Sequence, residues 1–563
     1  MAEYMDMHTY LNSRRAELND DFDRQKVTLR EIQKYISPYT GIGLTGNYAD
    51  EQRDGGRKDE LILDPTATYA MRILAAGLHG GITSPSRPWF KITLPDQDLA
   101  AFAPVKDWLY MVEKRMYFLF AKSRAYQAFY SLFNELGLYG TGAMAMFHSF
   151  KSVVRCRQFT IGEYRFGLNN ELSADTFLTT QWMSAKQMVQ EFGYENVSRK
   201  VKQAYDNKKA EQLFEVCWMV EPNDDRFEHK DFMNRPWRSV YWEPDNREGR
   251  PLEVSGFGIF PVMVPRWEVS GNRTWGTGVG HTILGHVKEL QSMRDRSSVI
   301  LDKQTDPPLV GPSVLKNGTV VNSMPGGITA LDETSNAPGL RPLHNMNINR
   351  QDLLLEINDL RQQIRQGAFN DIFMMIANSN DPQKTAYEIA QRKEEKLQML
   401  GPMLESTDTE LLNNSIDAMF YYMIDNDPPL IPPPPPEVQG MPLQVEYINI
   451  LSQAQKMAGI SAITQYVTFA GQMMGMGFTE ARYKLNSFGT LNNVSEMLGL
   501  PPNTVPDDQV AAAQLQSDIA KQQAMQQGQA MLAGAQGAKT LADTPLDSNS
   551  ALDALLGRTQ PQQ

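Results

Sequence analysis

Two long stretches of the chain place apolar residues on one face at helical spacing, and a segment without that pattern lies between them. Apolar side chains recur every three or four residues in 281–305 and in 350–376, which predicts two long amphipathic helices. The two stripes are Ile283, Val287, Leu290 and Met293, then Leu353, Ile357, Leu360, Ile364, Ala368 and Ile372. At 1.5 Å rise per residue, each helix spans about 40 Å.

Residues 307–349 are rich in Pro and Gly and predict an irregular insertion. A lone monomer has little use for such helices around so loose a segment, so the pattern favours a ring of copies.

The rest of the N-terminal half alternates between helical and strand-like patterns. Residues 3–36 predict a charged helix, Asp64 is a good N-cap for a helix that Gly80 and Gly81 end, and residues 98–136 predict two more helices. Between residues 142 and 269, short β-branched and aromatic runs bounded by turn residues predict a mostly antiparallel sheet. A helix over 184–192, capped by Ser184, interrupts these strands. The predicted fold class is α+β, mainly helical.

The C-terminal part of the chain reads as helices separated by proline. Thr385 and Glu388 form a capping box for a third long helix, which Gly401 and Pro402 break. Residues 428–436 contain a proline run that predicts a stiff spacer. Helices rich in Met and Gly follow over 443–500. An Ala- and Gln-rich helix begins near residue 507, and its thin apolar stripe needs neighbours for stability.

Composition narrows the possible functions. The chain has 563 residues and a formal net charge of -12, which disfavours tight, static binding of nucleic acid but suits a surface along which DNA slides. The two cysteines, Cys156 and Cys217, predict reduced thiols. The N-terminus shows no signal peptide, and no apolar run reaches the ~20 residues of a membrane span. These features predict a soluble protein made in a cytoplasm.

Motifs for chemistry are scarce. Gly276, Gly278 and Gly280 precede a predicted helix and form the one phosphate-loop candidate, but no Gly-Lys-Ser/Thr follows them. A glycine hinge that lets the chain enter the helix at a sharp angle is the favoured interpretation. The histidines lack metal-ligand spacing, and no nucleophile or zinc-protease motif occurs. The sequence therefore predicts no enzymatic activity and no cofactor.

Two polar features deserve a functional hypothesis. Arg361 and Arg365 lie four residues apart on one side of the second long helix. In a ring, this side faces either the lumen or an adjacent protomer. Alternatively, the arginines form ion pairs, within the helix or between protomers, with Asp359 or nearby acids. The ion-pair interpretation is favoured, because charged residues on a helix usually form its solvent-exposed face. The short polar loop 377–384 lies between two long helices and projects inward in a ring, or is an ordinary helix connection.

Four stretches resemble the head-to-tail connector, or portal protein, of short-tailed bacteriophages. They are DPTATYAMRILAAGLHGGITSPSRPWFKI, ADTFLTTQWMSAKQMVQEFG, TGVGHTILGHVKELQ and KTAYEIAQRKEEKLQMLGP. The resemblance covers residues 5–540 or so, in the family's order. It implies a ring-forming portal fold with an α/β wing, a two-helix stem, a small α/β clip, a helical crown and a short C-terminal helical barrel.

By chain order, the resemblance implies a division into nine segments. These are the wing (1–280), stem helix one (281–306), the clip (307–349), stem helix two (350–376), the tunnel loop (377–384), a long kinked wing helix with the proline-rich spacer (385–436), the crown (437–505), the barrel (506–538) and a disordered tail (539–563). It also implies two sets of site residues. The DNA-channel candidates are Asn378, Ser379, Asn380, Asp381, Gln383, Lys384, Arg361 and Arg365. The clip candidates for partner docking are Leu315, Lys316, Asn317, Val320, Val321 and Ile328.

The resemblance further implies a homo-dodecameric ring at one vertex of a virion capsid, assembled in the host bacterial cytoplasm. Double-stranded DNA enters and leaves through it without sequence recognition. The implied protein partners are the large terminase subunit, a tail adaptor or gatekeeper protein, the major capsid protein, and scaffolding or internal core proteins; no membrane is involved. Two alternatives stay open: a collar or scaffold protein without a channel, and a nucleotide-binding enzyme that uses Gly276–Gly280.

Overall fold

The computed structural model describes residues 2–44, 58–96, 99–100, 102–149, 152–224, 232–246, 248–312, 324–331, 341–342, 350–377, 401–426, 428–448, 450–476, 478, 484, 486–498 and 508–542. The chain divides into two units, Met1–Ala454 and Gln455–Gln563. Most described residues in regular structure are helical, and several small sheets accompany them. The predicted α+β, mainly helical class is confirmed.

The helices follow the predicted order. They are α1 (Ala2–Tyr35), α2 (Thr66–Ile82), α3 (Ala103–Lys122), α4 (Ala125–Tyr139), α5 (Ala185–Phe192), α6 (Arg199–Asp206), α7 (Val279–Thr305), α8 (Arg350–Gly367), α9 (Asn370–Ala377), α10 (Gly401–Thr407), α11 (Asn414–Asp425), α12 (Ile450–Gly475), α13 (Ser487–Leu498) and α14 (Asp508–Ala542). A π-helical segment, Asp408–Asn413, joins α10 to α11. The predicted cap of α5 is confirmed, since Ser184 and Gln187 form a capping box.

The second long helix differs from its prediction. The sequence predicts a single helix over 350–376, whereas α8 ends at Gly367 and α9 begins at Asn370. Phe369 has φ +56°, in the left-handed region, where an α-helix cannot continue. The continuous helix is therefore wrong, although the apolar spacing runs through the break undisturbed.

The strands are short and mostly antiparallel, as expected. They are β1 (Phe90–Thr93), β2 (Ala143–Ser149), β3 (Val153–Phe159), β4 (Tyr164–Leu168), β5 (Ala174–Ser184), β6 (Leu213–Pro222), β7 (Trp237–Trp242), β8 (Glu253–Phe257), β9 (Val262–Met263), β10 (Leu309–Pro312), β11 (Ile328–Leu331), β12 (Arg341–Pro342) and β13 (Gln444–Tyr447). An antiparallel sheet has the order β4-β5-β6-β7-β8, and a second has β3-β2-β9. In the insertion between α7 and α8, β10 pairs with β11 in parallel and with β12 antiparallel.

Helix α4 lies at the centre of the first unit. Its residues are buried on nearly every side, and it packs against α2, α3, α7 and β3. Aromatic side chains fill the space beside it, with Trp89 in contact with the rings of Phe120 and Phe129. Each aromatic residue removes a large apolar area from water, so this cluster dominates the packing energy of the unit.

The proline run does not act as a free spacer. Trp108 of α3 donates its indole N–H to the carbonyl of Pro432 at 3.0 Å, and Arg115 donates to the carbonyl of Leu430. Beyond the run, β13 pairs with β1 in register from Phe90–Tyr447 to Thr93–Gln444. Residues 436–448 therefore belong to the first unit, and the boundary at residue 454 falls later than the predicted start of the crown at 437.

The second unit is helical and exposes much apolar surface. Large side chains on and next to α12 are exposed, among them Tyr466, Phe469 and Phe478. Every side chain described between residues 513 and 529 of α14 is exposed. Helix α14 continues to Ala542, four residues beyond the predicted end of the barrel at 538. So little burial within the chain is what the thin apolar stripe predicts, and the need of this helix for neighbours stays a prediction.

One buried acid gives the stability of the first unit a pH dependence. Glu135 on α4 is 4% exposed, accepts the N–H of Ile161 at 2.8 Å, and accepts the hydroxyl of Thr160. Burial raises the pKa of Glu135 to about 7 from an ordinary 4.5. Because the folded pKa is raised, this contribution to stability is present below pH 4.5 and is lost as pH rises through about 7.

Glu135→Gln imitates the protonated acid and should remove that dependence. Relative to the parent protein, the free energy of unfolding of the variant should gain about 3 kcal/mol between pH 4.5 and 7.5. Urea unfolding of both proteins at several pH values gives the difference between their free energies of unfolding. Burial also raises the pKa values of Glu113 and Asp408, but these acids are present in both proteins and their contributions cancel in the difference. Parallel curves for the two proteins would show that Glu135 stays ionised in the fold.

Candidate functional site

The two long helices pack side by side through the predicted apolar stripes. Ile283, Val287 and Leu290 of α7 are at most 1% exposed, and Ile357 and Ile364 of α8 are fully buried. Helices α7 and α8 contact each other. A Cβ on Gly367 would lie 2.8 Å from the side-chain Cγ2 of Ile283, so the end of α8 lies against the start of α7. The helices are therefore antiparallel.

A buried carboxylate ties both helices to the start of α2. Asp64 is 3% exposed. Its Oδ2 accepts from the Nη2 of Arg361 on α8 at 2.7 Å and from Nε at 3.0 Å, and Arg294 on α7 lies 3.9 Å away. Its Oδ1 accepts the backbone N–H of Thr66 at 3.1 Å and the hydroxyl at 2.6 Å. Because both oxygens are engaged, the carboxylate is compensated despite its burial.

The backbone of Asp64 is fixed by the same pair of helices. Gln291 on α7 is 5% exposed, and its Oε1 accepts the N–H groups of Leu63 and Asp64 at 2.8 and 2.9 Å. Its Nε2 donates to the carbonyl of Asp64 at 2.8 Å. One side-chain amide thereby satisfies the peptide groups on both sides of a buried residue. Asp64, Gln291, Arg294 and Arg361, here called the Asp64 cluster, set the register of α2, α7 and α8.

The electrostatics of the cluster favour the ionised carboxylate. Burial alone would raise the pKa of Asp64, but hydrogen bonds from Thr66 and Arg361 outweigh it, and the pKa lies below its ordinary value. The sequence indicated only a helix cap at this position, and α2 in fact begins at Thr66, two residues on. No local pattern links Asp64 to an arginine so far along the chain, so this role was missed.

Arg361 and Arg365, which the sequence analysis treats as a pair, have different environments in the structure. Arg361 forms an ion pair, as favoured, but its partner is Asp64 on another element of the same chain and not Asp359. Asp359 instead accepts from Gln363 at 2.7 Å. Arg365 is exposed to solvent, and within the described residues no ion pair to it is seen. Of the two, Arg365 has the freer cationic group.

The remaining site candidates lie mostly outside the described residues. This applies to Asn378, Ser379, Asn380, Asp381, Gln383 and Lys384 of the polar loop, and to Leu315, Lys316, Asn317, Val320 and Val321 of the insertion. Ile328 is described: it opens β11 and pairs with Leu309 of β10. Their proposed roles thus stay predictions.

The glycine-rich turn before α7 serves close packing. A Cβ on Gly276 would lie 2.2 Å from the carbonyl oxygen of Gly140, and one on Gly280 would lie 2.2 Å from that of Leu138. The N–H of Gly276 donates to Thr141, and the N–H of Gly278 donates to the Nδ1 of His281. These amides are engaged within the protein, which supports the structural interpretation over a phosphate loop.

Two structural findings bear on metal binding and on membrane insertion. Within the described residues, no group of three or more His, Cys, Asp or Glu side chains is arranged to hold a metal ion. No helix in the same part of the chain is both long and apolar enough to pass through a bilayer.

Comparison with known proteins adds a second line of evidence. A family model described as "Bacteriophage head to tail connecting protein" matches residues 8–505. The "Portal protein" of Salmonella phage epsilon15 is 41% identical over 541 residues, 95% of each chain. The "Probable portal protein" of Bordetella phage BPP-1 is 34% identical over 554 residues, 98% of each chain. A chain from "Virion of native gene transfer agent (GTA) particle" aligns with a TM-score of 0.35 and 9% identity, covering 78% of this chain and 91% of that one.

Proposed function

The chain belongs to the family of bacteriophage head-to-tail connecting, or portal, proteins, and from that membership we propose that it closes into a dodecameric ring through which double-stranded DNA enters the capsid and later leaves. The ring stands at one vertex of the virion. The role is structural, and the ATP hydrolysis that drives packaging belongs to a partner.

The antiparallel α7–α8 pair is the observation that carries this proposal. Because the start of α7 lies beside the end of α8, the ends at Thr305 and Arg350 lie together at the opposite end of the pair. The insertion 306–349 therefore leaves from one end, and the chain after Ala377 leaves from the other. A ring of such pairs has a helical wall, with one irregular segment at each end of the wall.

That polarity supports an assignment of segments. The pair α7 and α8–α9 forms the stem, the strands β10, β11 and β12 belong to the clip, and the polar residues 377–384 form the tunnel loop. Residues 1–280 form the wing, together with 385–436. The second unit supplies the crown and the barrel, and its exposed apolar side chains are covered by other copies.

Charge supports a passage along which DNA slides without sticking. The net charge of -12 repels the phosphate backbone, and sparse cations such as Arg365 supply weak, sequence-independent contacts. Arg361 is held by Asp64, so its charge is compensated and it contributes to the wall more than to DNA contact. We assign Lys384 and its neighbours in the loop to DNA contact.

The clip is the docking surface for the protein partners. The β10–β11–β12 sheet is small, and its edge strands have backbone groups that a neighbouring clip can pair. We assign the large terminase subunit to this surface during packaging and a tail adaptor afterwards. Assembly begins in the host cytoplasm with the capsid and scaffolding or core proteins.

Deletion of residues 379–382 tests the channel function. Negative-stain images of the purified parent protein should show rings with a central hole, and the deletion variant should form the same rings. Virions assembled with the variant should retain less DNA, because the loop hinders back-slippage of the packaged genome. Particles without a hole would instead support a collar or scaffold protein, and full DNA retention in the variant would remove the loop from the mechanism.

A further inference from the structure

The break between α8 and α9 is a strained joint. Phe369 has φ +56°, a conformation that helix ends normally give to glycine. Gly367, the last residue of α8, lies two residues earlier, and its missing Cβ lets the backbone pack against Ile283. The left-handed conformation therefore falls on a bulky aromatic residue, at a cost in free energy that the surrounding structure must offset.

Helix α2 holds the joint at a buried amide. Asn370 is 5% exposed. In the orientation that its neighbours require, its side-chain nitrogen donates to the carbonyl of Ala70 on α2 at 2.9 Å and to that of Ala368 at 3.3 Å. The N–H of Phe369 still donates to Gln366 at 3.0 Å. Asn370, the first residue of α9, thus connects α9 both to α2 and to Ala368, which follows the end of α8.

A second contact from α2 fixes the direction of α9. The ring of Phe373 lies directly against Gly77, and a Cβ at that position would be 2.2 Å from its Cδ1. Ala70 and Gly77 are seven residues apart, so they lie on the same face of α2. This face is complementary to α9 only because residue 77 has no side chain.

Helix α8 is held by other contacts. Its register depends on the Asp64 cluster and on the apolar stripe of α7. The contacts of α9 with Ala70 and Gly77 can therefore be lost while α8 stays in place. Strain at Phe369 favours movement, whereas the α2 contacts, the buried Ile372 and the ring contact of Phe369 with Trp267 oppose it.

We propose that Ala368–Asn370 is a pivot about which α9 turns relative to α8, and that the Asn370–Ala70 hydrogen bond and the Gly77–Phe373 contact form the latch that sets its closed position. Asn370 and Gly77 are then positioning residues: they set the direction in which the chain leaves α9 at Ala377. The functional consequence rests on the proposed channel role, in which that direction sets how far the next segment reaches toward DNA.

Gly77→Ala tests the latch because its new methyl group displaces the Phe373 ring. Amide hydrogen exchange of full-length rings should be about tenfold faster or more across α9, with exchange in α7 and α8 unchanged. Gly80→Ala is the matched control, since a Cβ there meets nothing within 4 Å on the same helix. Asn370→Ala should act in the same direction as Gly77→Ala and provides a second test if that variant folds poorly.

The outcomes separate the pivot from the channel. Equal acceleration in α8 and α9, or none in either, would overturn the pivot even if the parent rings package DNA normally. A failure of the parent protein to form rings would count against the channel, while exchange in the free protein would still report on the pivot. Altered DNA retention by Gly77→Ala with normal ring yield, and unchanged retention by Gly80→Ala, would support the link between the two.

Discussion

Glu410→Gln should lower the free energy of unfolding of the first unit by about 3–5 kcal/mol, the loss expected when a buried ion pair keeps one charged partner. Arg266 is 5% exposed. Its backbone N–H donates to Glu410 Oε2 at 2.8 Å, its Nε donates to Oε1 at 3.0 Å, and its Nη2 also reaches Glu410. A neutral amide turns an N–H group toward these donors and leaves the guanidinium charge buried without a counter-ion.

The position of this pair explains why its loss affects more than one element. Glu410 lies in the π-helical segment Asp408–Asn413, where Leu411 and Leu412 are both buried although they are adjacent in sequence. The segment depends on contacts outside the helix, because π-helical turns are rarely stable by themselves. Arg266 supplies them from the chain after β9, and its carbonyl accepts the hydroxyl of Ser406 at 2.7 Å.

Urea unfolding at neutral pH and one fixed protein concentration measures the effect. Glu405→Gln is the control, because this acid lies on the neighbouring turn and is exposed, and its change should stay within about 0.5 kcal/mol. Equal small losses in the two variants would mean that Arg266 is solvated in solution and that the pair is not buried.

The sequence predicted the elements whose signal is local. Spacing alone predicts the apolar stripes of α7 and α8, and Ile283, Val287, Ile357 and Ile364 are buried in the structure. The antiparallel strands between residues 142 and 269 and the Ser184 capping box were predicted in the same way. Periodicity and caps act within a few residues, so one sequence is enough to show them.

Features that depend on distant partners were not predictable. The break at Phe369 leaves the apolar spacing intact, and Gly367, two residues before it, packs against Ile283 of α7. Asp64 had the features of a helix cap, but its arginine partner is on α8, and only the tertiary fold brings the two together. The loop and clip candidates were implied by family resemblance, and their roles stay predictions.

Asp64→Asn should lower the free energy of unfolding by about 2–4 kcal/mol, less than for Glu410→Gln because the Arg361 and Arg294 side chains are 31% and 39% exposed. Donors from Thr66 and Arg361 converge on the carboxylate, and an amide nitrogen cannot accept from any of them. Since the folded pKa of Asp64 is lowered, the contribution is present above its ordinary pKa and is lost as pH falls through the folded value.

The matched control is Asp359→Asn, which removes an exposed carboxylate from α8 two residues before Arg361. Urea unfolding should show a change within about 0.5 kcal/mol for this control. Amide hydrogen exchange distinguishes the Asp64 cluster from the latch. Asp64→Asn should accelerate exchange in α8 and at the start of α2 together, whereas loss of the α9 latch should leave α8 protected from exchange. If Asp64→Asn accelerates hydrogen exchange only in α9, the Asp64 cluster does not hold α8. The proposed pivot would then lack the fixed helix relative to which α9 turns.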